Sequence, residues 1–263
     1  MIKREFKVNF KSFILWSIIL VALFLAVFLI YPYFITDEAV ENLDDMMKTF
    51  PNELLKAFNM DITSINTAYG WLKSEGFMFL LIIIGVYVSL LGSNILLKEE
   101  SDKTIEYLGY LPITRSRIIT NKIIVGFIYV FSIIFIIGLF NYIALLISGD
   151  FEQKQYLLLA VSPLLVGFPL FSINLFISTF FHKTKNVLGF SLGIVFLSYV
   201  LNVLGELSKK VEFIKYFSIY TLADTRNIIT NTKIDIVLIF ISISITIIFI
   251  IGTYLRYNKK EMI

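Results

Sequence analysis

Six stretches of this chain run for 20 residues or more without an Asp, Glu, Lys or Arg. They are Ser12–Thr36, Gly76–Leu97, Ile123–Gly149, Gln155–His182, Asn186–Gly205 and Ile236–Leu255, each rich in Ile, Leu, Phe and Val. A helix of about 20 apolar residues crosses the hydrocarbon layer of a bilayer. Inside that layer each segment must satisfy its own backbone hydrogen bonds, so the windows are expected to be helices. The fold class that follows is an all-α polytopic membrane protein, with one transmembrane domain over residues 1–263. Only His182 to Lys185 separate the fourth and fifth windows, which predicts a tight hairpin there. The first window is too long for the apolar core of a signal peptide and no small-x-small site closes it, so it reads as a retained span.

Composition excludes several function classes. The chain is 57% hydrophobic and 16% charged, against about 25% charged in soluble domains. It has no cysteine and one histidine, His182, so thiol chemistry, disulfides and a multi-histidine metal centre are ruled out within one chain. A net charge of +3, with its cations in loops, gives no nucleic-acid footprint. No Gly-Lys dipeptide exists to build a phosphate-binding loop. The pair Glu99-Glu100 lacks the arginine spacing and the several histidines of an intramembrane glutamate protease.

The windows also lack the carboxylates that ion-coupled carriers keep at membrane depth. Their polar groups are Asn94, Asn141, Asn174, Asn202 and scattered Ser and Thr, for which hydrogen bonding between helices is the expected role. Lys and Arg count fourteen on the side of the termini and nine on the other, which orients both termini to the cytoplasm.

Outside the windows the chain carries amphipathic rows. Ile2, Phe6, Phe10 and Phe13 alternate with Lys3, Arg4, Lys7 and Lys11, the pattern of an interfacial helix over 1–11 or of a plain basic flank. The acidic outer loop 37–75 holds Val40, Leu43, Met47 and Phe50, then Pro51 opening a second short helix; it reads as a lid or as a cap on the membrane surface. In the outer loop 206–235, Leu207, Val211 and Ile214 interleave with Lys209, Lys210 and Lys215, which fits an interfacial amphipathic helix or a re-entrant segment.

The remaining island, 98–117, reads KEESDKTIEYLGYLPITRSR. Ile105, Leu108 and Leu111 form an apolar row that a simple tether does not need. Pro112 lacks a backbone N–H and restricts Leu111, so it ends a helix there. Thr114 is placed to cap the next span. The row suits either an apolar groove on another protein or the chain's own membrane surface.

This island resembles the loop between spans two and three of type-2 ABC transporter permeases. Glu100, Thr104, Ile105, Glu106, Leu108, Leu111, Pro112, Ile113, Thr114 and Arg115 stand at that family's positions, while Lys103 replaces its usual glycine and Gly109-Tyr110 interrupts its leucine run. Phe50–Phe58 (FPNELLKAF) also looks like bacterial members. The resemblance implies a cytoplasmic coupling helix that docks on ABC ATPase subunits. Ile105, Leu108 and Leu111 would enter the groove, with Glu99, Glu100, Lys103, Thr104, Glu106 and Arg115 around them. It further implies a homodimer or a sister permease, a bacterial cytoplasmic membrane, and ATP and Mg held by the partner with no cofactor on this chain. The expected function is the non-enzymatic permease of an ABC exporter for amphipathic, antimicrobial or cytolytic peptides or drugs, similar to the phenol-soluble modulin exporter type. Sodium or drug efflux by the same family, and a scaffold or sensor subunit that moves nothing, are the alternatives.

Overall fold

A computed structural model describes residues 1–34, 67–104, 113–149, 151–207 and 210–260. The elements are α1 (Ile2–Phe34), α2 (Ala68–Trp71), a π turn (Leu72–Gly76), α3 (Phe77–Ser101), α4 (Arg115–Ser148), α5 (Gln153–Val161) and α6 (Pro163–Ser178). Then follow α7 (Thr184–Leu207), two 3-10 turns (Glu212–Phe217 and Tyr220–Ala223), α8 (Thr225–Asn231) and α9 (Ile236–Lys259). Six helical segments are long and apolar enough to cross a membrane, with α5 and α6 together making the fourth. The amphipathic rows expected in 37–66 lie outside the described residues.

Two sequence expectations take a different form. The N-terminal stretch is no separate interfacial element, because α1 runs unbroken from Ile2 to Phe34. Its second turn packs on protein: Glu5 and Asn9 are buried, and the Tyr129 hydroxyl donates to the Phe6 carbonyl at 2.6 Å. The fourth and fifth spans are joined by a short connection, but α7 packs chiefly along α3 and the 3-10 turns rather than along α6.

α3 is the most buried span and α1 and α9 the least, so the bundle is built around α3 and its neighbour α6. Their approach is set by Gly92, where a Cβ would lie 2.6 Å from the Phe171 carbonyl oxygen. Small residues at such crossings let membrane helices pack without an interhelical hydrophobic drive. Asn174 on α6 adds the expected polar link, donating to Ser89 on α3 at 3.0 Å. Asn202 does likewise, accepting from Thr221. Asn141 does not: its amide is buried and has no partner among the described residues.

The fourth span is interrupted for a chemical reason. Pro163 and Pro169 cannot donate to the carbonyls four residues back. Ser162 Oγ donates to the Leu159 carbonyl at 2.9 Å, and Ser242 Oγ on α9 donates to the Leu165 carbonyl at 2.8 Å. Backbone acceptors left open by proline are thus refilled by serine hydroxyls, which a bilayer interior requires.

At the end of the bundle away from the termini, the stretch after α7 is not one amphipathic helix. It turns back along α7: Ile219 N–H donates to Ser198 Oγ at 2.7 Å and Ser218 Oγ to the Ser198 carbonyl at 2.6 Å. Ser198 lies nine residues before the end of α7, a descent of roughly 13 Å at 1.5 Å per residue. Tyr220 is buried over Gly85, where any Cβ would overlap its hydroxyl. The segment therefore folds back onto α7 and α3, with its irregular backbone shielded by protein.

Candidate functional site: the root of the charged island

The centre of the island, including Ile105, Glu106, Leu108, Leu111 and Pro112, lies outside the described residues. Both of its roots are described, and they are firmly built.

The first root is the end of α3. Thr104 N–H donates to the Glu99 carbonyl at 2.8 Å and Lys103 N–H to the Glu100 carbonyl at 3.2 Å. These are the paired bonds of a Schellman ending, whose penultimate position takes a left-handed backbone. Lys103 occupies it, at φ 55°. This explains in physical terms why the family pattern carries glycine there, since only glycine enters that region without a Cβ penalty.

The acidic pair preceding this turn is not at a rim. Glu99 and Glu100 are 3% and 5% exposed and bond within their own chain, which corrects the outward placement expected from the sequence. Adjacent helical residues point about 100° apart, so each faces a different neighbour. Glu99 receives Lys122 Nζ of α4 at 3.0 and 2.8 Å. The same ammonium reaches Glu5 Oε2 of α1 at 3.0 Å and the Ile95 carbonyl at 2.6 Å. Arg4, half exposed, approaches Glu99 at 3.6 Å, so two carboxylates face two cations.

Glu100 faces the other way. Lys260, at the end of α9, donates to both its oxygens at 2.9 and 2.7 Å and also to the Phe181 carbonyl after α6. His182 Nδ1 lies 3.1 Å from the same carboxylate. Burial lowers the affinity of the Lys260 ammonium for its proton, and the hydrogen bonds to Glu100 act in the opposite direction.

The second root is the start of α4. Thr114 caps it, its side chain accepting from Arg117 N–H, as the sequence predicts. Arg115 is exposed and donates to the Asn258 and Lys260 carbonyls at 3.3 and 2.8 Å. Ser116 and Asn258 exchange side-chain hydrogen bonds, and Thr120 meets the Tyr254 hydroxyl at 2.6 Å.

Of the expected site residues, the structure brings Glu99, Glu100 and Arg115 into one network, leaves Lys103 exposed, and places Thr104 and Thr114 in the two turns. Sequence reasoning missed Glu5, Lys122 and Lys260. Glu5 is the only acid among the basic residues of the N-terminus. That isolation was the available signal. Lys122 and Lys260 looked like ordinary flanking cations. The arrangement ties the two roots of the island to α1, α3, α4 and α9 at once. No group of three or more acidic or histidine side chains able to hold a metal occurs among the described residues.

Six membrane-length helices, with a charged connector anchored at both roots on one end, define a multi-pass membrane protein. The model of the ABC-2 family transporter proteins matches residues 1–262, and the chain belongs to that family. Neither curated proteins nor solved structures give a match. Membership makes the chain the membrane-spanning permease subunit of an ABC transporter, not itself catalytic, working with an ABC ATPase subunit.

Proposed function

We propose that this permease serves an exporter in the bacterial cytoplasmic membrane, with both termini cytoplasmic, and that segment 98–117 is its coupling element to the ATPase. ATP and Mg would be held by that partner. Ile105, Leu108 and Leu111 would seat in an apolar groove on the ATPase, and Lys103 and Arg115 would meet charge at its edge. Glu99 and Glu100 act behind them, as positioning residues that hold the root. The observation that carries this reading is the opposed burial of Glu99 on Lys122 and Glu100 on Lys260. A connector with no mechanical role does not need four buried charges at its base. Its cargo is an amphipathic or cytolytic peptide or a drug, as for exporters of the phenol-soluble modulin type, and the transport unit pairs two permeases.

The test is co-purification with the ATPase subunit. Leu108→Asp with Leu111→Asp is expected to release the ATPase while the permease stays inserted. Retention of a stable complex by that double variant overturns the docking assignment. A complex whose ATPase responds to sodium or small drugs and not to amphipathic peptides shifts the cargo within the family. A permease that never retains an ATPase is a scaffold.

A further inference from the structure

Between the first half of α1, the second half of α3 and the start of α7 lies a cavity of about 280 Å³. Along α3 its wall runs from Tyr87 to Asp102, a length of roughly 22 Å at 1.5 Å per residue. Its polarity is graded. Asp102, Lys98 and Thr184 stand at the end near the termini, Asn94 one turn deeper, and Trp16 and Tyr87 at the bottom.

The polar end carries both signs of charge, unpaired with each other. The Lys98 ammonium donates to the Val8 carbonyl at 3.3 Å and has two further donors without a partner among the described residues. The Asp102 side chain, one helical turn on, is exposed. Asn94 is partly exposed on the wall between them and the aromatic floor. An ammonium, a carboxylate and an amide over an aromatic, aliphatic base match a ligand with a doubly charged head and an apolar tail.

We infer that this cavity binds a zwitterionic, single-chain amphiphile of the bilayer. Its anionic group is taken by Lys98, its cationic group by Asp102, and its chain lies toward Trp16. The volume of about 280 Å³ falls just below the ~300–1,000 Å³ typical of small-molecule sites, so the cavity holds the charged head and the start of one chain and has no room for a second chain.

The site also touches the network described above. Asn9 lines the cavity, and its amide donates to the Glu5 carbonyl at 2.9 Å. The hydroxyls of Ser101 and Thr184 meet at 3.2 Å across its rim. A ligand wedged between α1 and α3 presses on the turn of α1 that holds Glu5 against Lys122. That route from occupancy to the coupling segment rests on the proposed function. The binding does not.

The experiment uses the full chain in nanodiscs. The sequence has two tryptophans, so Trp71→Phe leaves Trp16 as the single reporter. The probe is lysophosphatidylcholine brominated on its acyl chain, which quenches a neighbouring indole. Quenching is expected to saturate and to be reversed by unbrominated lysophosphatidylcholine. Lys98→Gln and Asp102→Asn are each expected to weaken it about fivefold, the scale of a partly exposed charge contact. Asn94→Phe, or Ser12→Phe from the opposite wall should the first not fold, is expected to abolish the saturable part. A brominated alkyl maltoside, uncharged, is expected not to saturate. Quenching that rises linearly with probe, or that survives both filling variants, overturns the site. Displacement of the probe by an amphipathic helical peptide at far lower concentration than by the lysolipid overturns the lipid as occupant. Failure of the parent chain to retain an ATPase, with saturable quenching intact, would sink the proposed function alone.

Discussion

The Lys122 ammonium lies 2.8 Å from the Glu99 carboxylate and 3.0 Å from that of Glu5, and all three side chains are almost fully buried. One cation on α4 thereby joins α1 to the end of α3 at the base of the charged island. Buried ion pairs add little net stability, because desolvation offsets their attraction, but removing one partner strands the other charge.

Lys122→Met is therefore expected to destabilise the protein by about 3–5 kcal/mol, since it leaves the buried Glu5 carboxylate without its cation and Glu99 with only the half-exposed Arg4. The triple variant with Glu5→Gln and Glu99→Gln is expected to recover most of that loss. Thermal unfolding in detergent measures both, and equal destabilisation in the single and triple variants would contradict the assignment.

Lys103 pays a left-handed backbone without glycine's freedom. Lys103→Gly is expected to stabilise the end of α3 by roughly 0.5–1 kcal/mol. Lys103→Val is expected to lose stability, because a β-branched side chain is poorest in that region. The readout is the midpoint of thermal unfolding for the pair against the parent.

Ser242 Oγ fills the carbonyl that Pro169 leaves open. Ser242→Ala is expected to cost about 0.5–1.5 kcal/mol, within the range of interhelical hydrogen bonds in membrane proteins. In a Pro169→Ala background the carbonyl regains its own helical donor, and the same change is expected to cost much less. A double-mutant cycle reads the difference; additive effects would break the link between proline and serine.

Asp224 supplies the pH dependence. Burial raises its carboxyl above the usual value, while hydrogen bonds from Asn227 act the other way. A raised folded pKa means the folded state binds this proton more tightly than the unfolded chain. Its contribution is fully present below the unfolded value near 3.8 and is lost as pH rises through the folded one. Asp224→Asn keeps the cap on α8, whose first turn the Asp224 side chain now accepts from, and asparagine tolerates the left-handed φ of 36°. The variant is expected to be more stable than the parent at pH 7 and to lose that advantage near pH 3. An advantage independent of pH would contradict the burial cause.

The number of spans and their helical character were legible in the sequence, because a bilayer penalises every uncompensated charge and backbone dipole in a long segment. The ends of the island were legible too: Thr114 caps α4 as its residue type predicts, and the glycine position of the family pattern falls on the left-handed residue Lys103. Partner choice was not. Glu99 and Glu100 read as two exposed acids in a polar loop, and only packing revealed that one faces Lys122, 23 residues on, and the other Lys260, 160 residues on. Sequence periodicity reports which face a side chain shares with its near neighbours. Tertiary structure decides what stands opposite that face, because charge pairing acts through space and ignores separation along the chain. The fold of residues 210–235 was decided in the same way. Its interleaved lysines and apolar residues suit a surface helix or a segment that turns back into the bundle, and contacts at Ser198, Gly85 and Tyr220 hold it against α7 and α3.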